Sequence, residues 1–243
     1  MRDWSGKRYW LVGASEGLGA ALAREMSAAG AHLVLSARRR AALDRLAACL
    51  PGPAEVLPVD IADDASVETA AQELGEIDGV VLLAGVYWPM RAQDWDSARA
   101  VTMADVNFTG YLRVLGAVVP GMVDRDRGHI VITGSLAGFG GLPGAVGYAA
   151  SKAGVMALAE CLHADLHRSG VEVQLVNPGF IRTRLTELNS FDMPMLMEPE
   201  EAARAMFRHM NGRRFATSFP APFAWLFRVG RFLPHWLYTR FFA

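Results

Sequence analysis

The sequence predicts an α/β fold made of one doubly wound parallel sheet with helices on both faces. Three observations predict it. Short, continuously apolar runs alternate with segments of helical periodicity; a glycine-rich turn joins the first run to the first helical pattern; and 243 residues with 52% hydrophobic side chains supply one large core. Ligands of such sheets bind beyond the carboxyl ends of the strands.

The elements follow in order. Residues 9–12 form a first strand, and a helix over 18–29 stops at Gly30, a good residue just past a helix end. Residues 32–37 are the second strand, 40–48 a helix, and 54–59 a third strand ending at Asp60. A helix over 65–74, a buried strand over 80–84, a long helix over 104–123 and a strand over 129–133 continue the alternation. A helix over 148–168 and a strand over 171–176 complete it. Residues 1–213 read as a single domain, with 214–243 an aromatic, arginine-rich extension of it. No solenoid repeat or low-complexity linker interrupts the chain.

A net charge of −1 lacks the basic excess of a nucleic-acid footprint, so the expected ligand is a small molecule. Cys49 and Cys161 have no metal-ligand or CxxC spacing and read as ordinary thiols of a reducing compartment; no metal site is expected. Residues 1–7 lead into a strand without an apolar leader segment, which points to a cytoplasmic protein.

Gly13-Ala14-Ser15-Glu16-Gly17-Leu18-Gly19 supplies the first chemistry. Residues without Cβ let the backbone turn sharply and approach a pyrophosphate, whose charge meets the N–H groups and dipole of the next helix. The second strand ends in Ser36-Ala37-Arg38-Arg39, with no acid to hold a ribose 2′-hydroxyl and two guanidinium groups suited to a 2′-phosphate. NADP(H) is therefore expected over NAD(H). Glu16 runs against this, because an acid in the turn does not help bind a phosphate.

Lysine occurs only at Lys7 and Lys152. Lys152 follows Tyr148 by four residues, so phenol and ammonium share one helix face. A nearby cation lowers a phenol's pKa from its ordinary value of roughly 10, which makes Tyr148 a candidate general acid or base.

With these residues the chain resembles the short-chain dehydrogenase/reductase family, to about residue 210. The resemblance rests on Gly13, Gly17 and Gly19; Asp60; Ala84-Gly85; Asn107-Phe108-Thr109-Gly110; Ser135; Tyr148 and Lys152; and Asn177-Pro178-Gly179, in that order. It implies a Rossmann fold and a catalytic tetrad of Asn107, Ser135, Tyr148 and Lys152. In that tetrad Ser135 holds the substrate oxygen, Tyr148 moves its proton, Lys152 holds the nicotinamide ribose and acidifies Tyr148, and Asn107 positions a water. Hydride passes between the cofactor and a hydroxyl/carbonyl carbon. The implied cofactor contacts are Gly13, Ser15, Gly17, Leu18, Gly19, Arg38, Arg39, Asp60, Ile61, Ala84, Gly85, Asn107, Tyr148, Lys152, Pro178, Gly179, Ile181 and Thr183. Asp60 also fits a plain turn or helix cap. The family also implies a homodimer or homotetramer. Two residues depart from the pattern: Leu83 stands where Asn is usual, so support for that strand end is expected from packing, and Val12 stands where Thr is common.

The segments expected to line the substrate side are apolar: 86–90, 136–139, 142–143 and the Met-rich 193–197. They point to a hydrophobic carbonyl or alcohol substrate. From residue 202 onward there is no Asp or Glu, and arginines alternate with Phe223, Trp225, Phe227, Phe232, Trp236, Tyr238, Phe241 and Phe242. This tail is too interrupted to span a bilayer. A subunit interface or pocket cover is the preferred reading of it, and peripheral contact with a membrane surface stays open beside it. Two other functions stay open for the whole chain: a catalytically idle nucleotide-binding or regulatory protein of the same fold and, ranked last, a sugar-nucleotide epimerase, which would need more chain for its substrate.

Overall fold

A computed structural model describes residues 2–189 and 191–242; the side chains of His235, Phe241 and Phe242 lie outside that description. Seven parallel strands form one sheet: β1 (Arg8–Val12), β2 (His32–Ser36), β3 (Ala54–Val56), β4 (Gly79–Leu82), β5 (Gly128–Thr133), β6 (Val171–Pro178) and β7 (Ala216–Phe219). Their order is β3-β2-β1-β4-β5-β6-β7. The order reverses between β1 and β4, which opens a crevice above their carboxyl ends.

Strand alternation divides the core into two layers. Leu11, Val81, Val131 and Val176 face one side, under α1 (Gly17–Ala28), α2 (Arg40–Ala47) and α7 (Pro199–Met210). Trp10, Val80, Leu82, Ile130 and Ile132 face the other, under α3 (Asp64–Leu74), α5 (Gly110–Asp124) and α6 (Val146–Leu166). Each buried face follows helical spacing, as Val114, Leu115, Val118 and Met122 do on α5. Two further helices, α8 (Ala221–Gly230) and α9 (His235–Phe242), end the chain.

Several boundaries differ from the sequence reading. The third strand is three residues long because Pro58, without an amide hydrogen, ends regular pairing. The helix expected over 104–123 starts earlier, as α4 (Ser97–Ala104), where Asp96 caps it by accepting from the Arg99 amide at 3.0 Å. A π-helical segment, Asp105–Thr109, then joins α4 to α5. By length and composition Ser97–Asp124 could cross a membrane, yet its inner face lies in the sheet core. The sequence reading placed no element after β6, whereas α7, β7, α8 and α9 all lie there.

Candidate active site

The glycine turn lies at the crevice. Gly13 has φ +101°, and a Cβ there would collide with the backbone of Ala84, so only glycine fits between β1 and β4. A Cβ on Gly19 would strike the Gly13 carbonyl, which fixes how closely α1 approaches the turn. Glu16 at the N-cap makes no side-chain cap, so the first-turn N–H groups of α1 are left for another acceptor. These features fit a pyrophosphate.

All the sequence-derived residues except Asn107 line one cleft of about 500 Å3: Gly13, Ser15, Gly17, Leu18, Gly19, Arg38, Arg39, Asp60, Ile61, Ala84, Gly85, Ser135, Tyr148, Lys152, Pro178, Gly179, Ile181 and Thr183. Glu16 and Arg184, unforeseen as a unit, also line it. Glu16 pairs with Arg39 at 2.6 Å and with Arg184 at 2.9 Å, tying the glycine turn to the end of β2 and to the loop after β6. The acid thus engages one of the two guanidinium groups and leaves Arg38 with no ion-pair partner among the described residues. Asp60 accepts from the Ala62 amide at 3.1 Å, so one carboxylate oxygen makes a local turn while the residue also lines the cleft.

The two lysines have opposite settings. Lys7 makes a surface pair with Asp78 at 3.2 Å, whereas Lys152 is buried and its Nζ donates to the Thr133 carbonyl at 2.9 Å. Lys152 Nζ lies 6.0 Å from the Tyr148 ring centroid and 5.4 Å from that of Tyr111. Burial pulls the Lys152 ammonium down to about 8. Burial likewise pushes the Tyr148 phenol above its ordinary value, and a hydrogen bond with Ser135 offsets part of that. Desolvation thus opposes the acidification expected from Lys152 and sets the direction of the shift. Tyr148 is held as a neutral phenol.

Asn107 is fully buried in the π-helical segment, outside the cleft lining. Its carbonyl oxygen accepts from the Val86 amide at 2.7 Å, and its amide donates to the Val86 carbonyl at 2.9 Å and to Ser151 Oγ at 3.1 Å. The side chain therefore clamps the loop after β4 to α6. Sequence reasoning also missed Tyr111, whose hydroxyl donates to the carbonyls of Leu82 at 3.2 Å and Ala84 at 2.9 Å. The strand end that carries Leu83 is thus supported by a phenol from α5 as well as by packing. The apolar, continuous face of α5 gave no sign of that bond.

On the substrate side, the Tyr87 ring stands edge-on to Tyr148, with centroids 5.1 Å apart. Thr183 packs its methyl against Gly17, and Ile181 bridges to Met197, so the Met-rich loop joins the cleft rim. Leu136, next to Ser135, packs with Ala224 and Phe227 of α8.

The sequence pattern of the family described as short chain dehydrogenase matches residues 7–193. An uncharacterized oxidoreductase of Myxococcus xanthus is 36% identical over 98% of this chain and 97% of its own length. One from Staphylococcus epidermidis is 32% identical over 81% of this chain and 87% of its own. Among solved structures, a short-chain dehydrogenase from Sphingobium yanoikuyae in complex with NADPH superposes with a TM-score of 0.81 at 31% identity, covering 88% of each chain. This chain belongs to the short-chain dehydrogenase family of oxidoreductases, whose members bind a nicotinamide cofactor.

Proposed function

We propose that this protein is an NADP(H)-dependent reductase of hydrophobic carbonyl compounds, able to run the reverse oxidation. The observation that carries the reading is the meeting of Ser135, a neutral Tyr148 and a buried Lys152 in the cleft that begins at the glycine turn. Gly13, Gly17, Gly19 and the open N-terminus of α1 would hold the pyrophosphate, with Pro178, Gly179, Ile181 and Thr183 beside the nicotinamide end. When bound, the reduced nicotinamide supplies hydride to the carbonyl carbon.

The chain's own residues do the rest. Ser135 Oγ orients the substrate oxygen, and the Tyr148 hydroxyl donates its proton there as negative charge develops. A phenol that burial keeps protonated suits this direction of reaction. Lys152, charged below about pH 8, stabilises the phenolate that remains after donation. Asn107 acts as a positioning residue through the Val86 loop. The Tyr87 ring beside Tyr148 favours a substrate without charge.

The cofactor preference follows from Arg38 and Arg39 at a β2 end without an acid, and the NADPH complex of the Sphingobium relative supports it. Arg38→Ala is expected to raise the KM for NADPH about tenfold and to leave that for NADH within twofold, as loss of one charge-assisted phosphate contact would. Glu16→Gln, which releases Arg39, should lower the NADPH KM severalfold. Equal effects of Arg38→Ala on both cofactors would contradict the assignment. An idle nucleotide-binding protein would show binding without turnover of any ketone.

A further inference from the structure

The helix α8 and the turn into α9 carry an apolar stripe that points outward. Ala224, Phe227 and Gly230 form the buried face of α8. Between and beyond them, at spacings of mostly three and four, Trp225 is 64% exposed, Leu226 53%, Val229 54%, Phe232 86% and Trp236 71%. Five large apolar side chains in twelve residues form a contiguous ridge, not the scattered exposure usual on a soluble surface.

The charge within the segment is of one sign. Residues 202–243 contain seven arginines and no acid, and Arg228 and Arg231 lie within the ridge, with Arg240 beyond it. Tryptophan and arginine together match the headgroup layer of a bilayer, where the indole meets both environments and the guanidinium reaches phosphate while its stem stays in apolar surroundings. The ten residues of α8 reach about 15 Å, short of the hydrocarbon thickness, and Pro234 separates α8 from α9. This geometry lies on a membrane and does not cross it.

A second copy fits less well. A two-fold contact would bury the exposed Arg231 with no carboxylate in residues 202–243 to pair with it, whereas Arg228 already turns in to Ser218 Oγ at 3.2 Å. The surroundings also favour lipid: a cavity of about 730 Å3, separate from the cofactor cleft, borders the ridge between α9, residues 138–143 and α6. Its lining is mostly apolar, including Leu142, Ala153 and Met156, with Arg231 and Glu160 as its charged members. It offers room for an acyl chain beside a cation for its headgroup.

We propose that α8 and α9 form an interfacial anchor that docks this protein on an anionic lipid surface. The anchor stands on its own surface chemistry and does not depend on the reductase reading. Because its buried face packs on Leu136, next to Ser135, docking would set the substrate side of the molecule against the bilayer.

The test is co-sedimentation of the full chain with vesicles of phosphatidylcholine alone and with roughly a third phosphatidylglycerol, at low and high salt. Wild type is expected to bind the anionic vesicles at least about tenfold more tightly, to lose that advantage in high salt, and to show a blue shift of tryptophan emission on binding. A Phe232→Glu, Trp236→Glu double variant should lose binding with its melting temperature unchanged. Three results would overturn the proposal: no binding of wild type, equal binding to neutral and anionic vesicles, or full binding by the double variant. If wild type failed to bind and the double variant dissociated a dimer in ultracentrifugation, the ridge would be a subunit contact.

Discussion

His129 and Thr133 stand at the two ends of β5 and bury polar groups in opposite ways. At the amino end, His129 Nδ1 meets the Tyr9 hydroxyl at 2.9 Å and Nε2 meets Gln174 Oε1 at 2.8 Å. Gln174 Nε2 goes on to the carbonyls of His209, Gly212 and Arg214. At the carboxyl end, Lys152 is buried on the Thr133 carbonyl, and Thr133 Oγ1 and Asn177 Oδ1 are buried without hydrogen-bond partners among the described residues. The first network satisfies His129 and serves stability, although Glu172 Oε1 and His209 Nε2 beside it are buried without a partner among the described residues. The second keeps a cation and unmet polar atoms out of water, which costs stability and is the preorganised polarity a reacting site needs.

The comparison can be broken by matched replacements. Lys152→Met should cut carbonyl reduction by at least a hundredfold while leaving the melting temperature unchanged or higher, since a costly buried charge is removed. His129→Leu should do the reverse. It leaves the Tyr9 hydroxyl and Gln174 unmet and should lower the melting temperature by roughly 5–10 °C, with kcat at low temperature nearly unchanged. If both variants lost stability alike, the two ends of the sheet would not differ as argued. Kinetics and melts on the same preparations decide it.

pH sharpens the contrast further. His129 falls from 6.5 to about 3 because burial disfavours its charged form, so the unfolded chain binds more protons between those values. Its contribution to stability is lost as pH falls through that window. Lys152 falls from 10.5 to about 8, so the unfolded chain again holds more protons between the two, and stability from this group rises with pH from about 8 to 10.5. Reduction should go the other way there, falling up to tenfold per unit above about pH 8 as Lys152 loses its charge. A flat reduction rate to pH 10 would remove Lys152 from the chemistry.

Much of this was legible in the sequence because the strands are continuously apolar and several of the site residues, such as Gly13, Ala84 and Ser135, follow strand ends, where local pattern and position coincide. Gly13 and Ser135 follow strands, Lys152 lies on α6, and all three line the one cleft. What escaped depends on contacts between distant segments. The π-helical segment is held by Asn107 bonding to Val86, and support of the β4 end comes from Tyr111 on α5. The Glu16–Arg39–Arg184 link joins three loops. The four-residue β7 is too short for alternation to declare it. In contrast, α7 did carry its signals: Pro199 at the start, Glu200 and Glu201 in the first turn, Arg208 and His209 in the last. The desolvation of Tyr148 was not legible, because spacing reveals a neighbouring cation and says nothing of burial.

The central claim is that the Tyr148 hydroxyl donates the proton in carbonyl reduction. The direct measurement is ketone-dependent NADPH oxidation by Tyr148→Phe, with NADPH affinity determined on the same sample by fluorescence. A fall in kcat of at least about a hundredfold with cofactor affinity within twofold of wild type is the predicted result. Turnover by the phenylalanine variant at the wild-type rate would contradict it.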